Sequence, residues 1–161
     1  MLLFIYGENT YSIAETLAGL IEKHGEGKDI QQIQCKEETA DAFWQDLQAP
    51  SLFAQSNLFV LRDVLSWENE LLERKESLQQ ENHIVVCVQE GKIEAKNLLF
   101  RYLLREAAAQ ECTMLSHVQI RNWIEKKTTK DMEKGAIDLL IAEYGTDQWG
   151  LSRGIDRVSS F

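Results

Sequence analysis

Short apolar runs alternate with longer amphipathic stretches through the first two thirds of the chain, the pattern of an α/β layer built around a mainly parallel sheet. Leu2 to Tyr6 reads as the first strand. Thr10 to His24 then carries Ile13, Leu17, Leu20 and Ile21 at helical spacing. Asn9 or Thr10 can accept hydrogen bonds from the amides of that helix's first turn, and Gly25 and Gly27 end it. Asp29 to Gln34 is a weaker strand, followed by a helix from about Glu38 to Leu47 that carries Phe43, Trp44 and Leu47. Leu58-Phe59-Val60-Leu61-Arg62 and His83-Ile84-Val85-Val86-Cys87-Val88 read as strands, each too short and too apolar or β-branched to be a free-standing helix. A helix from about Ser66 to Gln79 is expected to join them. Another, from about Ala95 to Ala109, places Leu98, Leu99, Tyr102 and Leu103 on one side and leads to a last strand near Glu111 to Leu115.

The pattern changes at Ser116. Ser116-His117-Val118-Gln119 has capping-box spacing, in which a serine hydroxyl and a glutamine side chain satisfy each other's orphan backbone amides at a helix start. Only helices are legible after it, at about 117 to 127, 130 to 144 and 147 to 160, with Trp123, Leu139, Leu140, Leu151, Ile155 and Val158 as candidate buried positions. Gly145 supplies a stop and Thr146 a cap between the last two. A domain boundary is therefore expected near residue 115, dividing an α/β domain over 1–115 from a helical one over 116–161.

Composition changes the picture mainly by exclusion. With 161 residues and 44% hydrophobic content, the chain can bury a core of one or two domains. No stretch approaches the roughly 18 consecutive apolar residues of a membrane span, and Met1 to Tyr6 lacks the basic leader of a signal peptide, so a cytoplasmic protein with no membrane partner is expected. Cys35, Cys87 and Cys112 are widely spaced and do not cluster with His24, His83 or His117, which argues against zinc and disulfides; Cys87, inside an apolar strand, reads as core. A formal net charge of -9 works against gripping phosphate backbones directly, so any contact with DNA is expected to be weak or to run through partners.

A strand, a glycine and a helix at the start of an α/β domain occupy the place of a phosphate-binding loop. That motif, GxxxxGK[ST], needs a second glycine for backbone amides to cradle phosphate, a lysine to neutralise it and a hydroxyl to hold magnesium. Counted from Gly7, those positions are Ser12, Ile13 and Ala14, so all three functional residues are missing. Ile13 is also required by the apolar stripe of its own helix. The adjacent acids that magnesium-dependent ATPases carry at a strand end are replaced by Arg62-Asp63, which a surface ion pair explains as well. No histidine is visibly paired with a nucleophile, and no catalytic residue, metal or cofactor is called for. The rival reading is a nucleotide-binding enzyme of the P-loop class with an unconventional site near Gly7.

The segment from Gln48 to Asn57 holds the chain's only proline and two adjacent large apolar residues, Leu52 and Phe53. Pro50 ends the preceding helix and biases Ala49 toward an extended backbone. Composition favours tucking Leu52 or Phe53 back onto the domain, whereas an adjacent aliphatic and aromatic pair on a loop also suits an anchor that fills a pocket on another protein.

Several segments in order resemble the bacterial DNA polymerase III delta family. Leu2-Leu3-Phe4-Ile5-Tyr6-Gly7-Glu8 is similar to its opening, and Ser51-Leu52-Phe53 followed by Leu58-Phe59-Val60-Leu61-Arg62 to its clamp-binding loop and next strand. Leu115-Ser116 with Ile120-Arg121-Asn122-Trp123-Ile124 resembles its entry into a second, helical domain, and Tyr144 to Leu151 its penultimate helix junction. The resemblance implies a degenerate AAA+-like (P-loop NTPase-like) domain, a small all-helical lid, and no ATPase activity of its own within the DNA polymerase III holoenzyme. It also implies a ring-shaped sliding clamp as partner, bound by Pro50, Ser51, Leu52 and Phe53. Two departures stand out. The family's third, collar domain, which joins the other clamp-loader subunits, is expected to begin about where this sequence stops, at Phe161, and Asp156-Arg157-Val158 replaces an acid-lysine-leucine pattern.

Overall fold

The computed structural model describes residues 1–48, 57–80, 82–128 and 132–159. Five strands, β1 (Leu2–Gly7), β2 (Asp29–Gln34), β3 (Asn57–Arg62), β4 (Ile84–Glu90) and β5 (Ala108–Glu111), form one sheet in the order β2-β3-β4-β1-β5, with every pairing parallel. Central parallel strands are covered on both faces and so carry continuous apolar sequence. β3 and β4 obey this, with Leu58 to Leu61 and Ile84 to Val88 all buried. The edges do not need it: β2 is half glutamine, and all four residues of β5 are exposed.

Alternation along the strands divides the core in two. Phe4, Phe59, Leu61, Val85 and Cys87 face α2 (Ala40–Gln48), α3 (Glu68–Glu73) and α4 (Leu98–Glu106), where Phe43, Trp44, Leu47, Leu71, Leu99 and Leu103 pack against them. Ile5, Leu58, Val60, Val86 and Val88 face α1 (Thr10–His24), which contributes Ile13 and Leu17. Phe43 is the aromatic hub of the first layer, edge-on to Phe59 at 5.3 Å and 4.9 Å from Trp44.

Three expected elements differ. The helix expected over 66–79 is instead a 3-10 turn at Val64–Trp67, the short α3, and a second 3-10 turn at Lys75–Gln79. Val64, Trp67, Leu71 and Leu78 do fall at helical spacing and are all buried, but the backbone covers the stretch in three short pieces rather than as one helix. The helix expected from Ala95 to Ala109 is confined to α4, capped by the Asn97 side chain, which accepts from the Phe100 amide at 2.8 Å. Leu98, its first residue, is exposed rather than packed beside Leu99. β5 accordingly begins earlier than the expected 111–115, at Ala108.

The chain divides into two compact units, Met1–Cys112 and Thr113–Phe161. The second holds α5 (His117–Lys127), α6 (Lys134–Tyr144) and α7 (Gln148–Ser159) around Ile120, Ile124, Ile137, Leu140, Leu151 and Ile155. The capping box at Ser116 and Gln119 is formed, with the Ser116 amide donating to Gln119 Oε1 at 2.8 Å. Leu139 and Val158 are exposed and Trp123 is only half-buried, because α5, α6 and α7 each turn a single face inward. Gly145 takes φ 58° and ends α6, but the residue that caps α7 is Asp147, whose Oδ1 accepts from the Trp149 amide at 3.1 Å, rather than Thr146. Gly150 and Gly154 lie one turn apart where α7 meets α6: a Cβ at either would come within 3 Å of Tyr144 or Leu140 side-chain atoms.

Candidate functional site

α1 leaves β1 toward one face of the sheet, whereas the chain following β4 packs α4 on the other. Ligands of open α/β sheets bind at the carboxyl ends of neighbouring strands whose connections diverge in this way. In this chain the place is closed by backbone. The Gly91 amide donates to the Gly7 carbonyl at 2.8 Å, the Cys112 amide to the Tyr6 carbonyl at 2.7 Å, and the Asn9 amide to the Cys112 carbonyl at 3.0 Å. Gly7 has φ 135°, and a Cβ there would lie 2.3 Å from the Cys112 oxygen.

The first turn of α1 is capped from within the chain by Asn9. Asn9 is buried, its Oδ1 accepts from the Ser12 amide at 3.0 Å, and its carbonyl accepts from the Ile13 amide at 3.0 Å. Ile13, where a phosphate loop has lysine, is fully buried against β3 and β4, and Ser12 and Ala14 are half-buried. The four residues singled out in the sequence are thus brought together at one strand-helix junction. The glycine serves close packing on Cys112, a contact no local motif signals.

Asp63, at the end of β3, sits in the left-handed region at φ 53°. Its ion-pair partner is Lys36 at 2.8 Å rather than the adjacent Arg62, and its second oxygen accepts from Gln34 Nε2 at 2.7 Å. The acid that a magnesium site would borrow is therefore tied to the end of β2. Next to it Cys35 is buried, and burial, reinforced by the negative charges of Asp63 and Glu38, pushes its thiol up to about 12. Among the described residues no group of three or more His, Cys, Asp or Glu could hold a metal ion, and no helix is long and apolar enough to cross a membrane. An open pocket of about 550 Å³ beyond β4 is lined by Glu68, Lys92, Lys96 and Asn97 among others. The Glu68 carboxylate there is taken by Asn97 Nδ2 at 2.8 Å and the Leu98 amide at 3.0 Å, so it caps α4.

Pro50, Ser51, Leu52 and Phe53 lie outside the described residues. Their flanks are described: Leu47, buried, and Gln48 end α2, and Asn57 opens β3.

Residues 3–113 match the family model of the DNA polymerase III delta subunit, well over half of the chain. The chain belongs to that family. Among solved structures, this delta-family chain is similar to the Bacillus subtilis DNA clamp loader delta protein (YqeN), with a TM-score of 0.71 at 16% identity over 99% of this chain and 53% of that one. It is also similar to a chain in the structure of Drosophila ORC bound to DNA, with a TM-score of 0.51 at 10% identity over 94% of this chain and 52% of the other. A DNA polymerase III gamma subunit-related protein from Thermotoga maritima gives 0.51 at 14% identity, over 99% and 55% of the two chains. No curated protein sequence matches the chain. The α/β fold of the delta-family chain is AAA+-like, and the chain spans about half the length of the solved chains it resembles.

Proposed function

We propose that this chain is the clamp-grasping portion of a clamp-loader delta subunit. It binds a sliding clamp through Leu52 and Phe53, with Pro50 and Ser51 shaping the segment, and promotes ring opening for DNA replication without hydrolysing ATP. The observation that carries this reading is the family match across residues 3–113, which spans the whole segment between α2 and β3. In this reading residues 1–115 are a degenerate AAA+-like domain and residues 116–161 a helical lid.

Binding energy does the work. Burial of a Leu or Phe side chain contributes about 1.5–3 kcal/mol, so the pair is enough to anchor a weak encounter. If the chain binds an open ring more tightly than a closed one, the ring population shifts by that difference with no chemistry in this subunit. ATP is left to sister subunits, in keeping with amides of the β1 and α1 junction that already have protein partners. The net charge of -9 fits a protein that meets DNA weakly or through the clamp and the other loader subunits.

The test is a pull-down of the cognate clamp by the parent chain and by Leu52→Ala/Phe53→Ala. Retention by the parent and loss by the variant, with unchanged circular dichroism, is the expected outcome. Equal retention removes the anchor from the account.

A further inference from the structure

The carboxyl ends of β2 and β3 are joined by side chains as well as by the sheet. Asp63, just past β3, is the single non-glycine residue with a positive φ among those described, at φ 53° and ψ 44°. That left-handed backbone is costly for most residues and least so for Gly, Asn and Asp. Here one residue serves two elements. The Asp63 carbonyl accepts from the Ser66 amide at 3.0 Å and starts the 3-10 turn, while its carboxylate reaches back past β2. One oxygen accepts from Lys36 Nζ at 2.8 Å and the other from Gln34 Nε2 at 2.7 Å.

Between those two donors lies Cys35, the one buried residue of 35–39. Its amide donates to the Arg62 carbonyl at 3.0 Å, and its side chain packs in the layer of Phe43 and Trp67. The exposed turn over it is closed on itself. The Gln34 amide donates to Glu38 Oε1 at 2.8 Å, and the Gln34 carbonyl accepts from the Glu37 and Glu38 amides at 2.9 and 3.0 Å. The turn is tied once more to the chain after β3 by the Trp67 indole, which donates to the Glu38 carbonyl at 3.1 Å. With the sheet intact, Cys35 meets solvent when this turn lifts from Asp63 and Trp67. The Asp63 side chain is 17% exposed and that of Lys36 63%, so salt reaches the pair from the lysine side.

We propose that Lys36 and Asp63 form an electrostatic latch over Cys35: the chain's own ammonium group sets how often the turn between β2 and α2 opens, and ionic strength modulates it. The latch stands on described residues and is independent of clamp binding.

The experiment follows the Cys35 amide by hydrogen exchange and the Cys35 thiol by its slow labelling in the native chain over hours. Both are read between about 0.1 and about 1 M sodium chloride, where the screening length falls from about 10 to about 3 Å. Lys36→Met keeps an unbranched apolar stem and removes the charge. Asp63→Asn keeps an acceptor and a residue suited to the left-handed backbone, and also removes the charge. Cys87, inside β4, reports opening of the whole sheet. Expected in each variant is a roughly two- to fivefold rise in both Cys35 rates, the range for losing a partly exposed ion pair, with Cys87 unchanged. The double variant should open no faster than the faster single one, and salt should speed opening in the parent alone. Parental Cys35 rates in Lys36→Met overturn the latch, as do multiplicative effects in the double variant or equal salt acceleration in parent and variants. Cys87 rising in step with Cys35 also overturns it, because the loss is then global. Should Asp63→Asn not fold, Lys36→Met and the parent's salt dependence decide, and salt-independent opening of the parent overturns the proposal.

Discussion

Gly7→Ala separates a glycine that makes room for Cys112 from one that makes room for a phosphate. At φ 135° the backbone is in a region open essentially to glycine alone, and forcing another residue there costs about 1–3 kcal/mol. The added Cβ would also meet the Cys112 oxygen at 2.3 Å and its carbonyl carbon at 2.9 Å, both backbone atoms that no rotamer change can move. Relief requires Cys112 to withdraw. That strains two hydrogen bonds, Asn9 amide to Cys112 carbonyl and Cys112 amide to Tyr6 carbonyl, each with a net worth of about 1 kcal/mol. The sum is about 3–5 kcal/mol, a large share of the roughly 5–15 kcal/mol that holds a domain folded. Urea denaturation followed by circular dichroism measures it, fitted with two transitions if the two units melt separately. A loss below about 1 kcal/mol would refute the argument that Gly7 is dictated by the Cys112 approach. A magnesium-ATP-dependent rise in the parent's midpoint would refute its companion, that this degenerate junction binds no nucleotide, because a ligand bound to the folded state alone stabilises it.

Further outcomes follow from single contacts. Burial raises the thiol pKa of Cys35, Cys87 and Cys112, Cys35 to about 12, so a disulfide reagent at pH 8 should label all three only in denaturant; rapid labelling of the native chain would contradict that packing. Ser116→Ala removes half of the capping box and should cost the helical unit about 1 kcal/mol in thermal denaturation, whereas an unchanged midpoint would mean that the box adds nothing. His83 has a pKa lowered from 6.5 in the folded state, so the stability it contributes is present above about pH 6.5 and is lost as pH falls through the lowered value. The parent should therefore lose more stability than His83→Phe between pH 7.5 and a pH below that range, and parallel losses would contradict a neutral buried imidazole.

What was legible in the sequence follows from how locally each feature is determined. β3 and β4 are buried on both faces and announce themselves as apolar runs, and α1 shows its stripe through Ile13 and Leu17. β5, Ala-Ala-Gln-Glu at an exposed edge, has no such pattern, which is why a strand was expected at 111–115 instead. The 64–79 region has the right residues for burial but divides them among three short turns, a choice made by the sheet beneath rather than by local spacing. The failed phosphate motif could be counted directly from Gly7. Its closure could not, because Cys112 is distant in sequence, as are the Lys36 partner of Asp63 and the Asn57 partner of His83. Leu52 and Phe53 were ambiguous on composition, and family resemblance rather than residue chemistry tipped them toward an anchor.

The central claim is that this delta-family chain grasps a sliding clamp by an apolar anchor with no nucleotide chemistry of its own. Isothermal titration of the cognate clamp with the parent chain and with Leu52→Ala/Phe53→Ala, with and without magnesium-ATP, tests it most directly. The account predicts saturable binding by the parent that is indifferent to nucleotide. It also predicts a loss of at least about 2 kcal/mol, roughly thirtyfold, in the variant. Parental affinity in the variant, or binding that appears only with magnesium-ATP, would contradict it.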